Sequence, residues 1–306
     1  MSEYHIPVLL KECIEGLDIK KNGVYFDLTF GGGGHSAEIL SQLGPQGKLF
    51  GFDQDEDAVQ NILKDERFEF IRSNFKYHSR FYKYYGISRL DGVLADLGIS
   101  SYQIDEASRG FSIRYDADLD MRMNQKGSFT AADLLNTYSE QDLIKILYEY
   151  GEVKNSRKLS KGIVEVRKRQ KFKSIKSFLN FLSSFEQGRS EQYRAKVFQA
   201  LRIEVNDEMG ALKAMLRDLE KILSVGSRVV VISYHSLEDR LVKRLFKTGN
   251  IEGKIYKDTF GNNLNPYRQI TKRVVVPDEN ELKLNRRSRS AKLRIAEYVG
   301  LENKVK

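Results

Sequence analysis

Hydrophobic positions fall into two regimes along the chain. In the first, Val24–Leu28, Lys48–Asp53, Phe68–Arg72 and Asp91–Asp96 are short runs rich in β-branched and aromatic residues. Polar or glycine turns bound them, which predicts four strands. A short helix is expected through Cys13 and Leu17, and another over Asp57–Lys64. Strand and helix alternating in this way is the rhythm of a parallel sheet. After Asp96 the pattern changes. Leucine, isoleucine and phenylalanine recur at helical spacing in Ala131–Tyr150, Ile175–Phe185 and Arg194–Leu223, until a fifth strand at Arg228–Ser233. The chain therefore reads as an α-helical domain, residues 104–202, inserted into a sheet domain made of 1–103 and 203–306.

The carboxyl end returns to strand-like pattern. Ser236 and Asp239 are spaced as a capping box for a helix after the fifth strand. Ile270–Val276 and Ala291–Val299 then predict two further β segments. In the second, Leu293 and Ile295 alternate with Lys292 and Arg294, so one face is expected buried and the other positive. A mostly parallel α/β sheet ending in an antiparallel pair is the outline of a class I, Rossmann-like methyltransferase fold.

Composition narrows the class of protein. With 306 residues, 41% hydrophobic and 30% charged, the chain is long enough for one large or two ordinary cores. No apolar run approaches the roughly 18–20 residues of a membrane span. The amino terminus lacks a signal-peptide layout, and Cys13 is the single cysteine. One cysteine forms no internal disulfide and no zinc cluster, so a cytoplasmic protein is expected and Cys13 is read as packing. Net charge is +9 and clustered. Lys154–Lys176 holds ten basic residues and one acidic, and Lys283–Arg294 six basic and none acidic. Two such clusters suggest a polyanionic partner, most often nucleic acid.

The richest chemistry lies in Phe26–Ser36, FDLTFGGGGHS, a strand end running into four glycines and a helix. Glycine allows positive φ and close approach of a ligand to the backbone. Ser36 is placed to cap the following helix, Ala37–Leu43, which stops at Gly44-Pro45. Gly32, Gly34 and Ala37 match the G-x-G-x-x-A form of the dinucleotide fingerprint, with Asp53 positioned for a ribose. Strand-end carboxylates favour another ligand. Asp27, Asp53 and Asp96 end three strands of one parallel sheet and would converge on one edge. They oppose a pyrophosphate, which needs an electropositive helix start. They suit S-adenosylmethionine, which carries a sulfonium and an amino group and no phosphate. A Walker-type loop is excluded, because no Lys-Ser or Lys-Thr follows the glycines.

Seven stretches give the chain a family resemblance: HIPVLLKE at His5–Glu12, FDLTFGGGGHS at Phe26–Ser36, DGVLADLGISSYQID at Asp91–Asp105, RGFSIRYDADLDMRMN at Arg109–Asn124, FQALRIEVNDE at Phe198–Glu208, VISYHSLEDRLVKR at Val231–Arg244 and NRRSRSAKLRIAE at Asn285–Glu297. Together they resemble the bacterial small-subunit ribosomal RNA cytosine N4-methyltransferases nearly end to end. Departures from the family's usual residues, at Tyr102 and Arg286, remove no functional group. The resemblance implies methyl transfer from S-adenosylmethionine to the exocyclic amine of a cytidine in the decoding region of 16S ribosomal RNA. It also implies donor contacts at Gly33, Gly34, His35, Asp53, Phe75, Asp96 and Gln103.

The amine of cytosine is a weak nucleophile, so alignment and an acceptor for its hydrogens are the main needs. Asp96 and the backbone of Leu97-Gly98 are the candidates for that acceptor. Tyr102, Phe111, Tyr115 and Tyr234 could stack on an unpaired base, although core packing is the commoner role of such residues. Arg286, Arg287 and Arg289, with the Lys154–Lys176 cluster, are expected to meet phosphates. No metal site is expected. Asp116-x-Asp118-x-Asp120 begins like a calcium loop, but Met121 stands at the turn glycine and Gly127 at the terminal carboxylate.

Overall fold

The computed structural model describes residues 7–301. It divides into two compact units, one formed by the chain up to Gly98 and from Gly210 onward, the other by Ile99–Met209. These seams lie outside the 103/104 and 202/203 boundaries expected from hydrophobic pattern.

In chain order the first elements are α1 (Leu10–Leu17), β1 (Val24–Asp27), α2 (Gly34–Gln42), β2 (Lys48–Asp53), β3 (Phe68–Arg72), α3 (His78–Tyr84) and β4 (Gly92–Asp96). The segment expected as a helix at Asp57–Lys64 is instead a 3₁₀ turn, Glu56–Asn61, started by Asp55, whose carboxylate accepts from the Asp57 amide. Next come α4 (Ser101–Asp105), α5 (Ala131–Thr137), α6 (Glu140–Glu149), α7 (Ser156–Arg167), α8 (Ile175–Leu182), α9 (Ser190–Val205) and α10 (Glu208–Asp218). The chain closes with β5 (Arg228–Ser233), α11 (Ser236–Thr248), β6 (Tyr267–Gln269), α12 (Glu279–Leu284) and β7 (Lys292–Tyr298).

All seven strands form one sheet in the order β3-β2-β1-β4-β5-β7-β6. The first five are mutually parallel, and β7 runs antiparallel between β5 and β6. This is the class I methyltransferase sheet. The central strands are apolar on both faces, as a parallel sheet covered on both sides requires; Tyr25, Phe26, Phe52, Val93, Leu94, Val229 and Val230 are all buried. The chain moves outward from β1 through β2 to β3, then returns to add β4 and β5 on the other side. Strand order therefore reverses between β1 and β4, and the crevice at such a switch point is where open α/β sheets hold ligands.

Of the two carboxyl-terminal β segments, Ala291–Val299 is found as β7, and the other departs from expectation. Ile270–Val276 is not a continuous strand. The Ile270 and Thr271 amides both donate to the Ile295 carbonyl, so the chain bulges away, and it rejoins β7 only at a Val275–Leu293 bridge. The face of β7 opposite its buried residues is not openly positive either. Arg294 lies against Asp239, with Nε and a terminal nitrogen 2.7 and 3.2 Å from the two carboxylate oxygens. Asp239 thus serves an ion pair rather than a cap. The α11 cap is His235, and Glu238 closes the box by accepting from the Tyr234 and His235 amides, one residue earlier than expected.

The second unit is a helical domain around Leu134, Leu135, Leu143, Leu147, Leu159, Ile163, Phe178, Val197 and Leu201. The single helix expected over Ala131–Tyr150 is broken by Ser139, whose hydroxyl caps α6 by accepting from the Asp142 amide. The longer one expected over Arg194–Leu223 breaks at Asn206-Asp207, where Asp207 has φ of 49°. That break has a structural use. Asn206 accepts from the Met123 amide and donates to the Met121 carbonyl, each at 2.7 Å. The buried Arg109 donates to the carbonyls of Arg122 and Met123 at 2.9 and 3.0 Å. Two of the stretches that carried the family resemblance are therefore one joint, holding a long loop without helix or strand. Among the described residues no helix is long and apolar enough to cross a membrane.

Candidate active site

Three aspartates end three adjacent strands: Asp53 on β2, Asp27 on β1 and Asp96 on β4. Their roles separate by burial. Asp27 is fully enclosed; one oxygen accepts from the Ser36 hydroxyl at 2.7 Å and the other from the Thr29 amide at 3.1 Å. It fastens the glycine loop to the strand and offers nothing outward. Ser36, expected as a helix cap, lies inside α2 and owes its place to this carboxylate. Asp53 accepts from the Gly31 and Asp55 amides, both at 2.8 Å. Asp96 accepts from the Tyr234 hydroxyl at 2.8 Å, while its own amide donates to the Thr29 hydroxyl at 2.6 Å.

Burial makes all three carboxylates reluctant to ionise. Desolvation pushes Asp27 and Asp53 up to about 6, against the hydrogen bonds each accepts. Asp96 is pushed up to about 7, first by desolvation and further by the charge of Asp27, with the Tyr234 hydrogen bond working the other way. An edge of this kind holds a deficit of positive charge.

The loop between β1 and α2 is shaped by its glycines. Gly33 sits at φ 77° as the residue before α2, with the Phe30 ring where a side chain would go. At Gly34 a Cβ would run into the Pro7 ring, whereas at Gly32 it would meet open space. His35 is buried, and its Nε2 donates to the Val8 carbonyl at 3.1 Å. Burial lowers its pKa to about 4, so the ring is neutral near pH 7. Its Nδ1, 4.0 Å from Asp96 Oδ2, is consequently an acceptor and makes no ion pair. His35 thus ties the amino-terminal segment to the site wall.

Phe75 follows β3 and opens a 3₁₀ turn capped by Asn74, which also donates to Gln54 just past β2 at 2.8 Å. The sheet unit therefore brings together Gly33, Gly34, His35, Asp53 and Asp96 at its carboxyl edge, with Phe75 on the β3 side. Gln103 belongs to the other unit. There it is buried and closes the capping box of α4, accepting from the Ser100 amide at 3.0 Å.

Sequence reasoning missed the supports. Thr29 and Ser36 look like ordinary loop and cap residues until the fold encloses Asp27. Tyr234, one of the candidates for stacking on a base, directs its hydroxyl to Asp96. Phe111 packs against the helical-domain core with the Arg109 guanidinium 5.9 Å from its ring centre, whereas Tyr102 and Tyr115 are exposed. Of the ten basic residues between Lys154 and Lys176, all but Arg167 are exposed. Arg167 donates to the Leu135 carbonyl at the end of α5. Arg286, Arg287 and Arg289 occupy a 3₁₀ turn just before β7. Since Lys292 pairs with Ser233, that turn lies at the carboxyl edge of β5, the edge that holds the aspartates.

Comparison with known proteins gives the family. The family model described as the MraW methylase family matches residues 2–299. The ribosomal RNA small subunit methyltransferase H of Bacteroides fragilis strain YCH46 is 56% identical over 295 residues, 96% of this chain and 97% of the relative. Its counterpart in Flavobacterium johnsoniae is 52% identical over 299 residues, 97% of this chain and 98% of the relative. Among solved structures, an rRNA methylase from Streptococcus thermophilus aligns with TM-score 0.39 at 12% identity, over 98% of this chain and 99% of that one. The chain belongs to the MraW methylase family.

Proposed function

We infer that this protein transfers a methyl group from S-adenosylmethionine to the exocyclic N4 amine of a cytidine in small-subunit ribosomal RNA, in the cytoplasm. Membership of the family makes it an S-adenosylmethionine-dependent ribosomal RNA methyltransferase. The observation that carries the finer reading is the pair of carboxylates, Asp53 and Asp96, at one sheet edge, with Asp96 fixed from both sides by Thr29 and Tyr234.

The residues present fit the donor. Asp53 retains lone pairs for ribose hydroxyls beyond the two backbone amides it holds. Gly33 and Gly34 keep the backbone clear, His35 fixes the wall behind them, and Phe75 supplies an apolar surface for the adenine. Gln103 is assigned to the donor on the family pattern. When bound, S-adenosylmethionine supplies an electrophilic methyl group on a positively charged sulfur.

Asp96 is the proposed acceptor for the cytosine amine. Its ionised carboxylate takes a hydrogen bond from the amine, orients the nitrogen and supports the positive charge that develops there. As the new C–N bond forms and the C–S bond breaks, the amine loses one proton, and Asp96 is the base placed to receive it. Alignment of the two reactants can account for about 7–11 kcal/mol of the barrier. Carbon-5 chemistry is not supported, since it needs a cysteine nucleophile and Cys13 is buried in α1. The exposed lysines and arginines of Lys154–Lys176, and Arg286, Arg287 and Arg289, are assigned to phosphates.

Isothermal titration tests the donor, and transfer of labelled methyl to small-subunit ribosomal RNA tests the reaction. Binding of S-adenosylmethionine without binding of NAD, and label recovered as N4-methylcytidine, are expected. Label recovered on another position would refute the assignment to the amine.

A further inference from the structure

The motifs leave one stretch of the sheet unit unexplained. From Ser73 to Leu90 there is no acidic residue, and Lys76, Arg80 and Lys83 alternate with Phe75, Tyr77, Phe81, Tyr82, Tyr84 and Tyr85. The structure sorts these residues by face. Phe81 packs on Phe52 with ring centres 5.7 Å apart, and the Ser79 hydroxyl donates to Asp218 at 2.9 Å, so α3 is anchored along one side. Tyr77, Arg80 and Tyr84 recur at helical spacing, with Lys83 beside them, and all four are exposed. The Tyr84 ring is 79% exposed. Its edge-on neighbour Tyr85, at 5.1 Å, turns its hydroxyl to Glu69. The Tyr77 ring is flanked by two cations, Arg80 at 4.8 Å and Lys76 at 5.4 Å from its centre.

A surface combining the Arg80 and Lys83 cations with a standing aromatic ring is well suited to unpaired nucleotides. Bases stack on the ring while phosphates meet the cations. The turn that opens this segment begins at Phe75, beside the proposed donor site, so the surface continues outward from the rim of the crevice on the β3 side. The geometry points to α3 as a second RNA-binding surface, on which an unpaired segment of the substrate RNA stacks on Tyr84 and lays its phosphates on Arg80 and Lys83. This rests on the ribosomal RNA reading given above.

Full-length protein carrying Tyr84→Ala, Tyr84→Phe or Arg80→Ala/Lys83→Ala tests it by filter binding to small-subunit ribosomal RNA over a salt series. Donor affinity is measured on the same samples by titration. Tyr84→Ala should weaken RNA binding roughly fivefold or more while Tyr84→Phe keeps it, since only the former removes the stacking face. The double variant should lower the slope of log affinity against log salt by about 0.7 for each charge removed, the value for a single strand. Donor affinity should stay unchanged in all three. Unaltered RNA affinity and slope in the variants, beside a wild type that binds and methylates the RNA, would overturn the α3 surface and leave the methyltransferase reading standing. A wild type that neither binds nor methylates the RNA would overturn both.

Discussion

Tyr234 and Asp96 stand 138 residues apart in sequence, and the tyrosine hydroxyl donates to the aspartate at 2.8 Å. The bond joins the end of β5 to the end of β4. It sets both the direction of the carboxylate and its readiness to ionise, because a donor to a carboxylate favours the charged form. Gly98, at φ 101°, lets the chain pass beneath the Tyr234 ring, which lies 3.3 Å from where a Cβ would be.

Tyr234→Phe should therefore act through Asp96. Without the hydroxyl, Asp96 becomes a weaker acid than its present value of about 7. The acid limb of turnover should move about one pH unit upward, with the rate at high pH restored. A pH profile of single-turnover methylation reads this. A loss of rate equal at all pH values would show that the tyrosine acts in another way.

Asp96→Asn keeps the shape and removes the base. Methyl transfer should fall about a hundredfold or more at neutral pH. Normal turnover with normal donor affinity would remove Asp96 from the chemistry.

The raised carboxylates also predict a pH signature for donor binding. In the free protein Asp27 and Asp53 titrate near 6 and Asp96 near 7, above the ordinary carboxylate value near 4. Folded protein thus holds more protons than the unfolded chain in this window. The stability these groups contribute is fully present below about pH 4 and is lost as pH rises through 6 to 7. A cationic donor reverses the penalty by favouring the ionised forms. S-adenosylmethionine should bind roughly tenfold more tightly at pH 8 than at pH 6. S-adenosylhomocysteine, which lacks the sulfonium charge, should show a smaller change. Titration at the two pH values decides it, and equal dependence for both ligands would contradict the electrostatic account.

The glycine loop gives a graded test. Gly34→Ala places a methyl against Pro7 and should weaken donor binding more than tenfold, whereas Gly32→Ala points into open space and should leave it within about twofold. Ser36→Ala should lower stability by about 1–3 kcal/mol, because it strips a donor from the enclosed Asp27. Urea unfolding measures the second effect.

Much of the sheet was legible because its strands are short apolar runs between turns, and the three strand-end aspartates follow once the strands are parallel. Local capping rules failed where a distant group competed. Ser36 answers to Asp27, Asp239 to Arg294, and the α11 cap is a histidine, which a search for Ser, Thr, Asp or Asn passes over. Ala291–Val299 is found as β7, but Ile270–Val276 is not a strand, because a bulge at Ile270-Thr271 leaves no trace in the apolar pattern. The Tyr234–Asp96 bond could not be read at all, since nothing local in either segment records a partner on another strand.

The function turns on which atom of the RNA receives the methyl group. Nucleoside mass spectrometry of small-subunit ribosomal RNA, from cells with and without this protein, tests it most directly. N4-methylated cytidine at one position should disappear with the protein, return with the wild-type chain and fail to return with Asp96→Asn. An unchanged content of N4-methylated cytidine in cells lacking the protein would contradict it.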